Sequence, residues 1–140
     1  GLGANVEIKP AEGHAAATGE AVAAGLAARW PVDGPPLLLS SFERPALAAA
    51  LQTAPAIPRG LLAERLPADW EQAMTGLACT TLHLDQREVT PELLAPLTAA
   101  GVPVLCYTVN DPGRAKELLG LGVAALFTDV PDTLLAALAA

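Results

Sequence analysis

Short apolar runs recur along this chain, each closed by polar residues and followed by a helix-forming stretch. Leu37-Leu38-Leu39-Ser40-Ser41-Phe42, Ala78–Leu84, Val102–Asn110 and Val123–Asp129 are the clearest. A strand with one wet face alternates apolar and polar residues. A run that is apolar throughout is buried on both faces, as in a parallel sheet covered by helices. Weaker strands are expected over Asn5–Lys9 and Ile57–Leu62. Between them, Thr18 predicts an N-cap for a helix over Gly19–Trp30, with Glu20 in its first turn and Arg29 in its last. Ser41 is expected to cap a helix over Phe42–Thr53, with Pro45 in the first turn. Pro67–Met74 reads as a short helix with Trp70 on its apolar side. Thr90-Pro91-Glu92 opens a helix that Gly101 stops, and Asp111-Pro112 opens one that ends at Gly120 or Gly122. Pro131 begins the last.

About six strand–helix pairs in strict alternation predict a parallel α/β sheet, either doubly wound or a (β/α) barrel. GxGxxG and GxxxxGK[ST] are both absent, which weighs against a nucleotide-binding open sheet. Polar residues recur instead at strand C-terminal ends: Glu7/Lys9, Ser40/Ser41, His83/Asp85, Asn110 and Thr128/Asp129. In a barrel those ends face one mouth, where active sites are built.

Asn5-Val6-Glu7-Ile8-Lys9-Pro10 carries the sharpest chemistry. On a strand, Asn5, Glu7 and Lys9 share one face and Val6 and Ile8 the other, and Pro10 ends the ladder. Glu7 and Lys9 read either as a metal ligand and a phosphate clamp or as a weak surface ion pair. His14, in the following loop, either reaches that strand end or is solvated. Arg59 is either a salt-bridge partner in the interior or a surface residue. Thr81, His83 and Asp85 share a strand face, and His83 is a candidate to line a site.

The net charge of −7 argues against nucleic acid, whose binding needs Lys and Arg. No apolar run approaches the roughly 18–20 residues of a membrane span. The chain opens with neither Met nor a basic segment, which reads as the absence of a secretory leader. Cys79 and Cys106 lie in apolar runs, and free buried thiols account for them most simply.

In order, Val-Glu-Ile-Lys-Pro, Leu-Leu-Ser-Ser-Phe, Pro-Arg-Gly-Leu-Leu, Leu-His-Leu, Tyr-Thr-Val-Asn-Asp-Pro and Gly-Val-Ala-Ala-Leu-Phe-Thr-Asp-Val-Pro resemble the glycerophosphodiester phosphodiesterases, most of all the bacterial cytoplasmic type. The resemblance implies a (β/α)8 TIM barrel, with residues 1–140 a single α/β domain covering about the last six strand–helix pairs and the N-terminal ones missing. It implies hydrolysis of a small-molecule glycerophosphodiester to glycerol 3-phosphate and an alcohol, with a divalent cation, Mg²⁺ or Ca²⁺. It makes Glu7 a metal ligand and Lys9 a phosphate contact, and places Tyr107, where family members often carry Trp, in the substrate pocket. His83 joins Lys9 and Tyr107 as a substrate-binding candidate.

The family's catalytic histidines lie in its first two strand–helix pairs, one in a His-Arg dipeptide that this chain lacks. Its only histidines are His14 and His83. The catalytic acid and base therefore have no assigned residue here. The alternative is a non-catalytic degenerate barrel that binds a phosphate-bearing ligand or a protein partner. An incomplete barrel leaves strand edges unpaired, which predicts self-association or pairing with its own N-terminal part.

Overall fold

The computed structural model describes residues 2–139. Six strands alternate with six helices: β1 (Ala4–Glu7), α1 (Ala15–Arg29), β2 (Leu37–Ser41), α2 (Arg44–Thr53), β3 (Arg59–Ala63), α3 (Trp70–Gly76), β4 (Cys79–Asp85), α4 (Pro91–Ala99), β5 (Val104–Tyr107), α5 (Pro112–Gly120), β6 (Ala125–Leu126) and α6 (Pro131–Ala139). The strands lie in sequence order in one sheet. This is the strand order of the expected (β/α)8 family, represented by six strand–helix pairs. The chain divides into two compact units, Gly1–Leu62 with Asp69–Thr80, and Ala63–Ala68 with Thr81–Ala140.

In the first unit β1 pairs parallel with β2, Val6 beside Leu39 and Glu7 beside Ser40, and β2 pairs with β3, Ser40 beside Gly60. Val6 and Ile8 face the helices as expected. Ile8, Leu39, Ala23, Ala46, Ala50 and Ala54 form a buried cluster there. Burying a side chain such as Leu39 contributes about 2 kcal/mol. Small residues let α1 and α2 pack closely. A methyl built on Gly19 would lie 2.2 Å from the Ala46 carbonyl oxygen, so the glycine is required where these helices cross.

Helix α1 begins before the Thr18 cap that the sequence predicted. Gly13, at φ +76°, turns the chain, and the His14 N–H closes onto the Ala11 carbonyl. Three alanines, good helix formers, then carry the helix, so the Thr18 N–H already donates to the His14 carbonyl. His14 is the N-cap residue and makes no side-chain cap bond. Helix α2 likewise starts after Glu43 rather than at Ser41, whose hydroxyl is engaged elsewhere. Helix α3 starts at Trp70, after Asp69, whose carboxylate instead pairs with Arg44 at 2.6 and 2.8 Å.

Arg59 answers to neither of its expected roles. It is 3% exposed and its hydrogen bonds run to backbone carbonyls. Nε donates to Leu77 O at 3.1 Å, Nη2 to Ala78 O at 3.1 Å, and Nη1 to Ile57 O at 2.5 Å and Pro55 O at 3.3 Å. Leu77 and Ala78 follow α3, whose last turn carries no basic residue of its own. The guanidinium supplies from β3 the positive charge that a helix C-terminus favours.

In the second unit β4 pairs with β5, Leu84 beside Cys106, and β5 with β6, Cys106 beside Leu126. Leu82, Leu84 and Cys106 are fully buried on one face. The expected caps are present: Thr90 Oγ1 accepts from the Leu93 N–H, Asp111 Oδ1 accepts from the Arg114 N–H, and Gly101 turns at φ +69°. Both cysteines are free thiols, and burial pushes each up to about 11. No helix among the described residues is long and apolar enough to cross a membrane.

Candidate active site

The chain leaves β1 at Glu7, two residues before the end of the strand expected over Asn5–Lys9, yet Glu7 and Lys9 still lie together. Lys9 Nζ stands 3.4 Å from Glu7 Oε2, with the lysine side chain 76% exposed and the glutamate 28%. Glu7, Ile8, Lys9 and Pro10 form one wall of a cleft of about 280 Å³, and Ser41, Phe42 and Glu43 the other. Between the walls, the Ile8 N–H donates to the Ser40 carbonyl at 2.7 Å. The Ser41 hydroxyl donates to the Ile8 carbonyl at 2.7 Å and accepts from the Glu43 N–H at 3.1 Å. Ser40, in register with Glu7, has a buried hydroxyl with no protein partner among the described residues.

A hard cation takes about six or more oxygen ligands. Among the described residues no three His, Cys, Asp or Glu side chains come together. Glu7 offers one carboxylate, already faced by an ammonium. This donor set does not fill a cation's shell by itself. What the cleft does present is an exposed positive group beside a partly shielded carboxylate, suited to an anion that carries its own counter-charge.

His83 and Tyr107 belong to the second unit. His83 is fully buried, with Thr81 Oγ1 2.9 Å from Nε2 and the Phe127 ring 5.2 Å away by centroid. Its Nδ1 has no protein partner among the described residues. Burial pushes the imidazole down to about 4. The Tyr107 hydroxyl donates to the Ala63 carbonyl at 3.0 Å. Asp85, beside Tyr107 in register, is clamped by Arg87, whose guanidinium holds the carboxyl below its ordinary range. At the ends of β5 and β6, Asn110 Oδ1 accepts from the Thr128 hydroxyl and from the Asp129 N–H, and its amide donates to the Asp129 carboxylate.

The buried histidine has a measurable consequence. Its folded pKa lies below the ordinary 6.5, so the unfolded state takes up the proton first as pH falls. The stabilisation is complete above about 6.5 and lost as pH drops toward 4, up to about 3 kcal/mol in all. Urea unfolding at pH 7.5 and 4.5 is expected to show a larger acid loss for the wild type than for His83→Gln. Equal losses would show that the folded protein protonates His83 freely.

Ser41 keeps a local bond from the Glu43 N–H toward the following helix, but its bond across to Ile8 was not anticipated. The two hydroxyls closing an apolar strand were visible, but the cap reading drew Ser41 toward its own helix rather than to the neighbouring strand.

Comparison with known proteins now bears on this cleft. No curated protein matches the chain. Among solved structures, an Oleispira antarctica phosphodiesterase in complex with the product sn-glycerol-3-phosphate is similar over 99% of this chain, with 35% identity and a TM-score of 0.93. A candidate glycerophosphoryl diester phosphodiesterase from Silicibacter pomeroyi is similar over 95%, with 27% identity and a TM-score of 0.78. A glycerophosphodiester phosphodiesterase from Parabacteroides distasonis shares the fold over 99% of the chain at 18% identity and a TM-score of 0.73. This chain spans 56%, 48% and 57% of those three chains respectively. Residues 1–133 match the model of the glycerophosphoryl diester phosphodiesterase family, and the chain belongs to that family.

Proposed function

We propose that residues 1–140 are the larger part of a metal-dependent enzyme that hydrolyses glycerophosphodiesters to glycerol 3-phosphate and an alcohol. The observation that carries this reading is the Glu7–Lys9 pair at the end of β1, opening on a cleft in a chain of this family. The product held by the Oleispira antarctica protein supports the substrate class. In the reaction, water forms a new bond to phosphorus and the bond from phosphorus to the alcohol oxygen breaks. Lys9 binds a non-bridging phosphate oxygen and offsets charge that grows there. His83 and Tyr107, both in the second unit, stay substrate-binding candidates on the family resemblance alone. Glu7 would be one ligand of a divalent cation, Mg²⁺ or Ca²⁺, which would supply Lewis-acid chemistry at the phosphate; the other ligands, and the catalytic acid and base, would have to come from beyond residues 1–140. The resemblance to the bacterial cytoplasmic type supports a cytoplasmic location.

The test is release of glycerol 3-phosphate from glycerophosphodiesters bearing choline, ethanolamine or glycerol, with Mg²⁺, with Ca²⁺ and with chelator. The longest natural chain carrying residues 1–140 is expected to turn over at least one of them and to lose activity with chelator. Residues 1–140 alone are expected to give no turnover; detectable product from that segment would refute this division of labour. Phosphate-ester binding without turnover by the longest chain would favour the non-catalytic module instead.

A further inference from the structure

We propose that Ser41 is a positioning residue for the Glu7–Lys9 pair, acting through the peptide of Ile8. This inference rests on the functional reading of that pair given above. The ladder of β1 closes with the Ile8 N–H on the Ser40 carbonyl at 2.7 Å, so nothing in the ladder holds the Ile8–Lys9 peptide beyond it. The carbonyl of that peptide is taken instead by the Ser41 hydroxyl, also at 2.7 Å. Ile8 is 2% exposed and Ser41 fully buried, so water does not compete for these bonds.

A hydroxyl is the group this junction needs, because it donates and accepts at once. Ser41 donates across to Ile8 and accepts from the Glu43 N–H, which fixes the Phe42–Glu43 turn as well. One oxygen atom thereby sets both walls of the cleft. Removing it leaves the buried Ile8 carbonyl unsatisfied and frees the peptide between the two charged side chains to rotate. The effect would fall on where Lys9 meets its anion, and misplacement on the order of 1 Å costs about 100-fold in rate.

The experiment compares Ser41→Ala and Ser41→Cys with Glu7→Gln and Lys9→Met in the longest natural chain carrying residues 1–140. The readouts are kcat, KM for a glycerophosphodiester, inhibition by inorganic phosphate, and the thermal midpoint. Ser41→Ala is expected to lower kcat/KM roughly 10- to 100-fold and to weaken phosphate inhibition. Cysteine, a similar shape with a weaker donor, is expected to fall between, and carries the test if the alanine variant does not fold. Ser41 variants with phosphate inhibition and kcat/KM within about twofold of wild type, beside crippled Glu7 and Lys9 variants, would overturn the proposal and leave the site standing. If the Glu7 and Lys9 variants are themselves fully active, the reading of the pair fails, and the Ser41 proposal with it.

Discussion

Glu7→Gln is expected to cut kcat/KM for a glycerophosphodiester by roughly 100- to 1,000-fold in the longest chain carrying these residues, while hardly moving the unfolding midpoint. The two effects separate because of where the pair lies. Lys9 is largely exposed and Glu7 only partly shielded, with 3.4 Å between them. Exposed ion pairs contribute about 0–1 kcal/mol to stability. Glutamine keeps the shape and removes the charge that a cation or a counter-charged anion would meet. Lys9→Met keeps the aliphatic stem and is expected to act mainly through KM and phosphate inhibition. Steady-state kinetics with a thermal melt of each variant decides it. A full-rate Glu7→Gln enzyme would reduce the pair to surface decoration.

Arg59→Met is expected to lose about 3–5 kcal/mol of stability, enough to unfold a marginal domain. Four carbonyl oxygens, on Pro55, Ile57, Leu77 and Ala78, share this guanidinium. Methionine fills much of the volume and satisfies none of them. Arg59→Lys keeps the charge but replaces a planar fork by a single ammonium, which cannot serve both the loop before β3 and the end of α3. Its loss is expected to be intermediate. Urea midpoints for the three proteins give the order Arg, Lys, Met. A Met variant within about 1 kcal/mol of wild type would mean these carbonyls are met by water, which the 3% exposure of Arg59 makes hard to arrange.

What the chain's letters disclosed, and what they hid, follows from the range of the forces involved. Unbroken apolar runs and helix caps act over a few residues, so the strand–helix order, the Thr90 and Asp111 caps and the Gly101 stop could be read directly. The Glu7–Lys9 pairing follows from the two-residue period of a strand. The misread residues are those whose partners lie far along the sequence. Ser41 reaches back 33 residues to Ile8, and Arg59 forward 18 and 19 to Leu77 and Ala78. Local rules offer Ser41 a helix to cap and Arg59 an acid to seek. The fold adds a distant peptide oxygen to Ser41's local bond and gives Arg59 carbonyls in place of an acid. The early start of α1 is a subtler case, where three alanines and the Gly13 turn outweigh the capping preference of Thr18.

The crossing of α1 and α2 has one more implication. With Gly19 set against the Ala46 backbone, the clearance between the helix axes is fixed by the absence of a single carbon. Those helices cover the reverse side of the two strands that carry Glu7 and Ser41. Any lineage that enlarges position 19 must lever the layers apart and re-seat the cleft from behind. The abundance of alanine here is thus a thickness specification for the molecule, inherited together with its chemistry.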